Sequence, residues 1–332
     1  MKRRTSIATL ALGAAWALFS SRPAAAAGSA EASAHGEGRA RNGDAPRGGE
    51  GIYRFSIGGQ SAYVLHCGEL PTVPTQPFMA PEATSEEFAA AVQESVARDG
   101  RIHMPYNVVL LQWHGSWVLI DAGPKGKGAQ PPPVVARLAQ LGLAPEDIAL
   151  VILTHAHFDH MGGLLCEGRR VFTRARHVVS RQEAEFWGAE SPDCRGMRMA
   201  AGGMIAEAKE VLAAIDFTRI EPGVSLLPGL RTALAAGHTP GQLVLELEDA
   251  GEQLTHISDL CHHAWLLLPH AGWSVGSDVD PVAAVQVRRQ MFARLSASKA
   301  RVLGFHLPFP GLGHIAPAAG GGQRWVPEDW RA

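Results

Sequence analysis

Three histidines and an aspartate fall within six residues near the middle of this chain, in the run Thr154-His155-Ala156-His157-Phe158-Asp159-His160-Met161-Gly162-Gly163. Imidazole and carboxylate side chains together suit zinc, iron, manganese or cobalt as the bound metal. Cysteine is nearly absent from the neighbouring sequence, which argues against a structural site built from thiolates. The H-x-H-x-D-H spacing therefore predicts a metal site made of histidine and carboxylate ligands.

Further candidate ligands each follow a predicted strand. They are His238 in Gly237-His238-Thr239-Pro240-Gly241, Asp259 in Ser258-Asp259-Leu260, and His306 after the apolar run Val302-Leu303-Gly304-Phe305. The first cluster likewise follows Ile148 to Leu153, an apolar run of the kind that is buried on both faces of a sheet. Ligands placed after strands suit a site built on loops that a rigid scaffold holds in place.

The sequence between residues 51 and 332 alternates between strand and helix patterns. The predicted strands are Tyr53 to Ile57, Ala62 to His66, Asn107 to Gln112, Trp117 to Asp121, Ile148 to Leu153, Val224 to Leu227, Arg231 to Ala236, Leu243 to Leu247, Gln253 to Ile257 and Arg301 to Phe305. The predicted helices are Thr84 to Arg98, Pro133 to Leu141, Arg181 to Glu190, Met197 to Ile215 and Pro281 to Leu295. Two sheets with helices outside them make a layered α/β sandwich.

The ordered ligand set resembles that of the metallo-β-lactamase superfamily over essentially all of residues 51–332, so the expected fold is its αβ/βα four-layer sandwich. The resemblance implies one metal held by His155, His157 and His238, a second held by Asp159, His160 and His306, and Asp259 as the bridge between them. It also implies that Asp121, in Ile120-Asp121-Ala122-Gly123, orients a ligand by a hydrogen bond without touching metal. An ordinary turn residue at a strand end is the alternative for Asp121.

The expected cofactors are two divalent transition-metal ions, with zinc as the favoured metal, and they explain how the site would carry out hydrolysis. Two such cations share one solvent oxygen and lower its pKa, so that hydroxide exists near neutral pH and attacks an electrophilic carbon or phosphorus. The predicted catalytic residues are Asp259, as the bridging ligand, and His262 and His263, as proton donors or hydrogen-bond partners of the substrate. The sequence therefore predicts a dinuclear metal-dependent hydrolase with a small-molecule ester or lactone as its substrate.

Within the superfamily, the chain resembles methyl parathion hydrolase and the exported lactonases and aryl esterases related to it. The segments that carry this resemblance are His306 to Ile315, Glu183 to Trp187 and Arg324 to Pro327. Phe158 stands where methyl parathion hydrolase has proline, and the pair His262-His263 is a further departure. Lactone or carboxylic and aryl ester hydrolysis is therefore the first hypothesis, and phosphotriester hydrolysis is the second.

Five aromatic residues are candidates for an apolar substrate pocket near the metals, with core packing as the alternative for each: Phe158, Phe186, Trp187, Trp265 and Phe309. Other functions of the same fold fit less well. A B3-type β-lactamase would not be expected to carry Asp259, and a diiron oxidoreductase needs a flavin partner domain or an additional carboxylate. A non-catalytic periplasmic metal-binding protein needs a closed ligand shell, which the full seven-ligand set disfavours.

The start of the chain has the pattern of a signal peptide over residues 1–27: the cations Lys2, Arg3 and Arg4, an apolar stretch from Ile7 to Phe19, and a run of alanines. Its apolar stretch is too short to span a bilayer, so a periplasmic or secreted protein without a membrane anchor after processing is expected. Residues 28–50 have almost no apolar side chains and are predicted to be a flexible linker.

Composition and net charge limit the kinds of molecule that this protein is expected to bind. The formal net charge of −2, with 19% charged residues, excludes an electrostatic nucleic-acid binder. The four cysteines show no C-x-x-C spacing, and the sequence does not decide whether any of them pair. It also leaves the oligomeric state open, a homodimer included.

Overall fold

The structure is a computed structural model that describes residues 50–72, 75–94 and 101–329. The predicted signal peptide, residues 1–27, and the predicted linker except for its last residue lie outside the described residues. Within the described part of the chain, no helix is long and apolar enough to cross a membrane. The four cysteines all lie in that part and are unpaired.

The first half of the described chain builds a sheet of seven strands. Its first five strands are β1 (Ile52–Ile57), β2 (Gln60–Thr72), β3 (Ile102–Trp113), β4 (Ser116–Ile120) and β5 (Ile148–Ile152). Next in the chain come β6 (Leu165–Cys166) and β7 (Arg169–Arg170), which form a separate two-stranded ribbon. The last two strands of the large sheet are β8 (Arg176–Ser180) and β9 (Phe217–Ile220). The spatial order is β1-β2-β3-β4-β5-β8-β9. Strands β1 to β4 pair antiparallel, and the pairs from β4 onward are parallel.

The second half of the described chain builds another sheet of seven strands in sequential order. They are β10 (Ser225–Leu227), β11 (Leu230–Leu234), β12 (Leu243–Asp249), β13 (Glu252–His256), β14 (Arg301–Leu303), β15 (Leu312–Pro317) and β16 (Gln323–Pro327). The predicted antiparallel meander forms β10 to β13. Strand β14 pairs parallel to β13, because a helix crosses over between them.

The helices lie between these strands in the chain. They are α1 (Gln76–Met79), α2 (Ser85–Glu94), α3 (Pro133–Gln140), α4 (Phe158–Met161), α5 (Arg181–Gly188), α6 (Gly202–Ala214), α7 (Ala264–Leu267) and α8 (Pro281–Ser298). The capping box predicted before α2 is present, since Thr84 Oγ accepts the Glu87 N–H and the Glu87 carboxylate accepts the Thr84 N–H. Positions 95–98 of the predicted helix lie outside the described residues.

Three apolar clusters define the layers. One joins inner faces of the two sheets and includes Leu111, Ile152 and Leu245. A second packs α3, α5 and α6 against the first sheet, and a third packs α2, α7 and α8 against the second sheet. The described residues therefore form the predicted αβ/βα four-layer sandwich.

Several elements differ from the sequence prediction. Strand β9 was missed because its sequence, Phe217-Thr218-Arg219-Ile220, is short, lies at a sheet edge and has no fully buried side chain. Helix α6 begins at Gly202 rather than Met197, because the chain before it pairs with another segment: the Arg198 N–H donates to the Gly276 carbonyl. Strands β8, β15 and β16 were also missed.

Candidate metal centre

The ligand-bearing loops converge where ends of the two sheets meet. The first cluster follows β5, His238 lies between β11 and β12, Asp259 follows β13, and His306 follows β14. The Leu243 N–H of the second sheet donates to the carbonyl of Thr154, which follows β5 of the first sheet. Gly163 allows the turn after the cluster, since a Cβ there would lie 2.0 Å from the Ala122 carbonyl oxygen.

All seven predicted ligands are brought together, and each is buried: His155, His157, Asp159, His160, His238, Asp259 and His306. Asp259 lies at the centre. Its Oδ1 is 3.1 Å from His160 Nε2, and its Oδ2 is 3.3 Å from both His238 Nε2 and His306 Nε2. Its carboxylate therefore contacts ligands of both predicted metals, which is the position that a bridging ligand requires.

The cluster contains two groups of donor side chains that correspond to the two ligand sets implied by the superfamily resemblance. His155, His157 and His238 lie with Asp259, and this group is called site A below. Asp159, His160 and His306 form a second group, called site B. His262 joins Asp259 and His306 in a third grouping, with its Nε2 3.3 Å from Asp259 Oδ2.

The donor atoms fit metal ions. Among the described residues, His155 Nε2, His160 Nε2 and Asp259 Oδ1 are buried without a hydrogen-bond partner. Buried polar atoms left in that state cost free energy, and a metal ion would satisfy them. A donor set of imidazoles and carboxylates suits divalent transition metals. The residues present can therefore hold two such ions.

Hydrogen bonds on the far side of the rings orient the ligands. Asp121 Oδ2 is 2.8 Å from His160 Nδ1, and its Oδ1 accepts the Thr154 N–H at 2.8 Å. Asp121 thus lies where its hydrogen bond with Nδ1 of His160 turns Nε2 of the same ring toward the predicted metal positions. His306 Nδ1 lies 3.0 Å from the Pro105 carbonyl oxygen and is held in the same way.

Two positioning residues were missed by the sequence reasoning. Asp278 Oδ1 lies 2.8 Å from His238 Nδ1, and the buried Arg288 holds Asp278 through a 3.5 Å contact while donating to the Leu260 carbonyl. Asp278 follows no recognisable pattern. Arg288 was detectable, because it takes a core-facing position of α8 in register with Ala284 and Met291, where an apolar residue is expected.

A third residue that the sequence reasoning missed is Tyr106 on β3. Its ring packs edge-on against His306, with 5.9 Å between the ring centroids, and also contacts Phe158 and Phe305. Burial and the carboxylates of Asp159 and Asp259 raise the pKa of its hydroxyl, so the phenol stays protonated beside the metal centre. The signal was weak, because one tyrosine in a mostly apolar strand is normal.

Comparison with known proteins matches this picture. Residues 102–260 match the model of the metallo-beta-lactamase superfamily. The chain contains a metallo-β-lactamase superfamily domain. The structure superposes on AidC, a dizinc quorum-quenching lactonase, with a TM-score of 0.79 and 27% identity over 87% of this chain and all of AidC. It superposes on the hydrolase AbOPH with a TM-score of 0.76 and 26% identity, over 85% of this chain and 99% of that one.

Curated relatives match over a shorter length. An N-acyl homoserine lactonase of Bacillus sp is 31% identical over 127 residues, which are 37% of this chain and 43% of that protein. The N-acyl homoserine lactonase AttM of Azorhizobium caulinodans is 31% identical over 189 residues, 49% of this chain and 60% of that protein. The matches thus span about half the length of these relatives.

A cavity of about 250 Å³ opens beside the metal centre of this superfamily domain. Its lining residues are His66, Glu69, Arg101, His103, Pro105, His263, Trp265, Pro308 and Phe309. Pro105 contacts His306 through its carbonyl, and His263 is next in sequence to His262. Trp265, Phe309 and His263, three of the predicted substrate or catalytic residues, therefore share one cavity next to site B.

The other predicted pocket residues are placed elsewhere. Phe158 lines a different depression of about 450 Å³, together with Lys125, Met204 and Glu207. Trp187 and Phe186, predicted as pocket residues, line neither cavity, because Trp187 belongs to the apolar core and the partly buried Phe186 packs against that core. Trp187 is fully buried, its ring lies edge-on to His157, and Phe186 packs against it.

The charges of the metal-free ligands lead to a prediction for metal loading. Burial lowers the pKa of His238 and His306, but Asp259 together with Asp278 or Asp159 outweighs it and raises each pKa to about 9. Both imidazoles are therefore protonated at pH 7 and must lose their protons to bind metal. The ligand His160 must lose a proton as well, because the carboxylates of Asp259, Asp121 and Asp159 outweigh its burial and raise its pKa well above the usual value. Loading is therefore expected to release about three protons from the ligands at pH 7, and affinity should fall as pH falls. Calorimetry in two buffers of different ionisation enthalpy measures the release, and no release at pH 7 would contradict this assignment.

Proposed function

We propose that this protein is a metal-dependent hydrolase that opens lactones of the N-acyl homoserine type, with two zinc ions in sites A and B. The observation that carries the proposal is the buried seven-ligand cluster centred on Asp259, with a partly apolar cavity beside it. The relatives support the substrate class. AidC was solved with the product N-hexanoyl-L-homoserine, and the curated relatives are named N-acyl homoserine lactonases.

The residues have separable roles in this reaction. Two divalent ions, when bound, supply a water of lowered pKa and polarise the lactone carbonyl. Asp259 would hold both ions, and Asp121 and Asp278 fix the directions of His160 and His238. Pro308, Phe309 and Trp265 give the acyl arm apolar surface, in a cavity of a size that excludes most water once it is filled.

His262 and His263 supply polar contacts for the substrate. Burial lowers the pKa of each to about 4, so both rings are neutral at pH 7. In the described structure, Nδ1 of each is buried without a hydrogen-bond partner. His263 lines the cavity, where its neutral imidazole would donate a hydrogen bond to the substrate carbonyl or to the leaving alkoxide without placing a permanent positive charge in the site.

A hydrolysis panel on zinc-loaded protein tests this proposal. We expect turnover of N-acyl homoserine lactones and aryl esters, slower turnover of a phosphotriester, and negligible turnover of a cephalosporin. The cavity offers an apolar wall for an acyl chain or an aryl group. Slower phosphotriester turnover is expected because the chain departs from methyl parathion hydrolase at Phe158 and at His262-His263. Cephalosporin turnover faster than that of every lactone and ester would overturn the assignment. Absence of all turnover with both metals bound would favour the non-catalytic alternative.

Export is a further part of the proposal, and the N-terminal sequence supports it. The cations at positions 2–4, the apolar stretch and the alanine run have the order of a cleaved signal peptide. Protein expressed with its full N-terminus in a Gram-negative host is expected to accumulate in the periplasm and to begin near Gly28. Intact-mass measurement checks this, and a periplasmic or secreted product that still begins at Met1 would refute cleavage.

A further inference from the structure

Helix α5 presents a buried carboxylate that the proposed reaction does not use. Glu183 is fully buried, and four groups of the described residues donate to it. Oε1 accepts the Ala156 N–H at 2.8 Å and the Trp187 indole N–H at 2.7 Å. Oε2 accepts the Thr239 hydroxyl at 2.6 Å and the Gly241 N–H at 3.0 Å.

The four donors all belong to the surroundings of site A. Ala156 separates the ligands His155 and His157 in the sequence, and Thr239 directly follows the ligand His238. The ring of Trp187 lies 5.6 Å from the ring of His157, centroid to centroid. One side chain therefore ties the loop of His238 to the loop of Ala156, which carries His155 and His157 of site A and also Asp159 and His160 of site B. Site B is held differently, since His160 is oriented by Asp121 and His306 by Pro105.

The start of α5 is pressed closely against the loop that carries His238. Ser180 caps the helix by accepting the Glu183 N–H, and its hydroxyl donates to the Gly241 carbonyl. A Cβ at Gly241 would lie 2.2 Å from Glu183 N and 2.3 Å from Ser180 Oγ. The loop therefore has no room to shift toward the helix. The hydrogen bonds that the Glu183 carboxylate accepts from Thr239 and Gly241 restrain its movement away from the helix.

We propose that Glu183 is a positioning residue that sets the metal affinity of site A, acting through the loops of Ala156 and Thr239 and through Trp187. This inference rests on the proposed metal centre but not on any particular substrate. It gives a function to the segment Glu183 to Trp187, in which the sequence had indicated only a family resemblance and a substrate pocket. The hydrogen-bonding pattern requires a carboxylate, because both oxygens act only as acceptors.

Glu183→Gln tests this with little change of volume. With its NH₂ in the place of Oε1, the amide faces the Ala156 and Trp187 N–H donors and both hydrogen bonds are lost. With its NH₂ in the place of Oε2, the hydrogen bond from the Gly241 N–H is lost, and the Thr239 hydroxyl must turn round to accept. Loss of a partner that orients metal ligands typically weakens metal binding by ~10–100-fold. We expect a loss of that size at site A and a change of less than about threefold at site B.

The measurement is zinc affinity by competition with a chromogenic chelator, in two backgrounds. In the His306→Ala background, site B is disabled, so the Glu183→Gln change reports on site A alone. In the His238→Ala background, it reports on site B alone. Cobalt(II) absorption provides a spectroscopic signature of ligand geometry. Glu185→Gln, an exposed acid on the same helix, is the matched control and should leave both affinities unchanged.

Each outcome decides the inference. Selective weakening at site A supports it, whereas equal weakening of both sites, or unchanged affinity at site A, overturns it. Should Glu183→Gln fail to fold, Trp187→Phe removes a single donor while keeping an aromatic ring, and the loss of one hydrogen bond is then expected to weaken site A selectively by about 3–10-fold. An unchanged site A in folded Trp187→Phe would count against the proposal. Because the readout is metal binding, a failure of the lactonase proposal would not be mistaken for a failure of this one.

Discussion

Replacing Asp259 with alanine is expected to lower kcat/KM for the best lactone by at least about 10³-fold, equivalent to ~4 kcal/mol of transition-state stabilisation. The carboxylate lies within 3.3 Å of ring nitrogens from both site A and site B. Without it, neither metal keeps its position relative to the other. The surrounding imidazoles hold the pKa of Asp259 well below its usual range, so the lost side chain is a full negative charge at neutral pH.

The experiment compares kcat/KM, metal content and thermal unfolding of Asp259→Ala with those of the unaltered protein. The fold should be retained, because the sheets and their apolar layers do not depend on this loop. Asp193→Ala is a suitable control, since Asp193 is an exposed acid that pairs with Arg195, and its replacement should leave activity and metal content unchanged. Wild-type turnover by Asp259→Ala with two metals bound would remove this residue from the site.

Replacing His306 with alanine is expected to lower the bound metal from two ions to one and to reduce kcat/KM by on the order of 10²-fold or more. His306 Nε2 lies 3.3 Å from Asp159 Oδ2 and from Asp259 Oδ2, so its removal takes a ligand from site B. Site A keeps its three histidines. The ring also stacks on His262, with 5.3 Å between centroids, so the variant loses a contact that orients a predicted catalytic side chain.

Elemental analysis and zinc titration of His306→Ala check the division of ligands. His314→Ala is the matched control, because His314 lies in the same C-terminal segment but its Nδ1 contacts the carbonyls of Lys299 and Ala300, away from the metal centre. Both ions should remain bound in that control. Equal loss of both ions from His306→Ala would show that the two groups are not independent.

The sequence alone was sufficient to predict the layered fold and the side chains that gather in one buried cluster. H-x-H-x-D-H is a local pattern, and its six residues stay close in space whatever the rest of the chain does. His238, Asp259 and His306 each follow a strand, and each of these strands is apolar enough to be recognised in the sequence by itself. Residues whose chemistry is tied to a short motif or a strand end were therefore predictable.

Only the tertiary structure decided which side chains support those ligands and which form the pocket. Asp278 meets His238 across 40 residues of sequence, and Glu183 meets Gly241 across 58. An isolated acid carries no local sign of a partner that far away. Trp187 shows the same problem for an aromatic residue: its helix predicts that one face is buried, but not whether a metal ligand or a substrate lies against it. Such contacts depend on how loops from separate strands pack together. The hydrophobic periodicity of the sequence predicts single helices and strands, but it does not predict that packing.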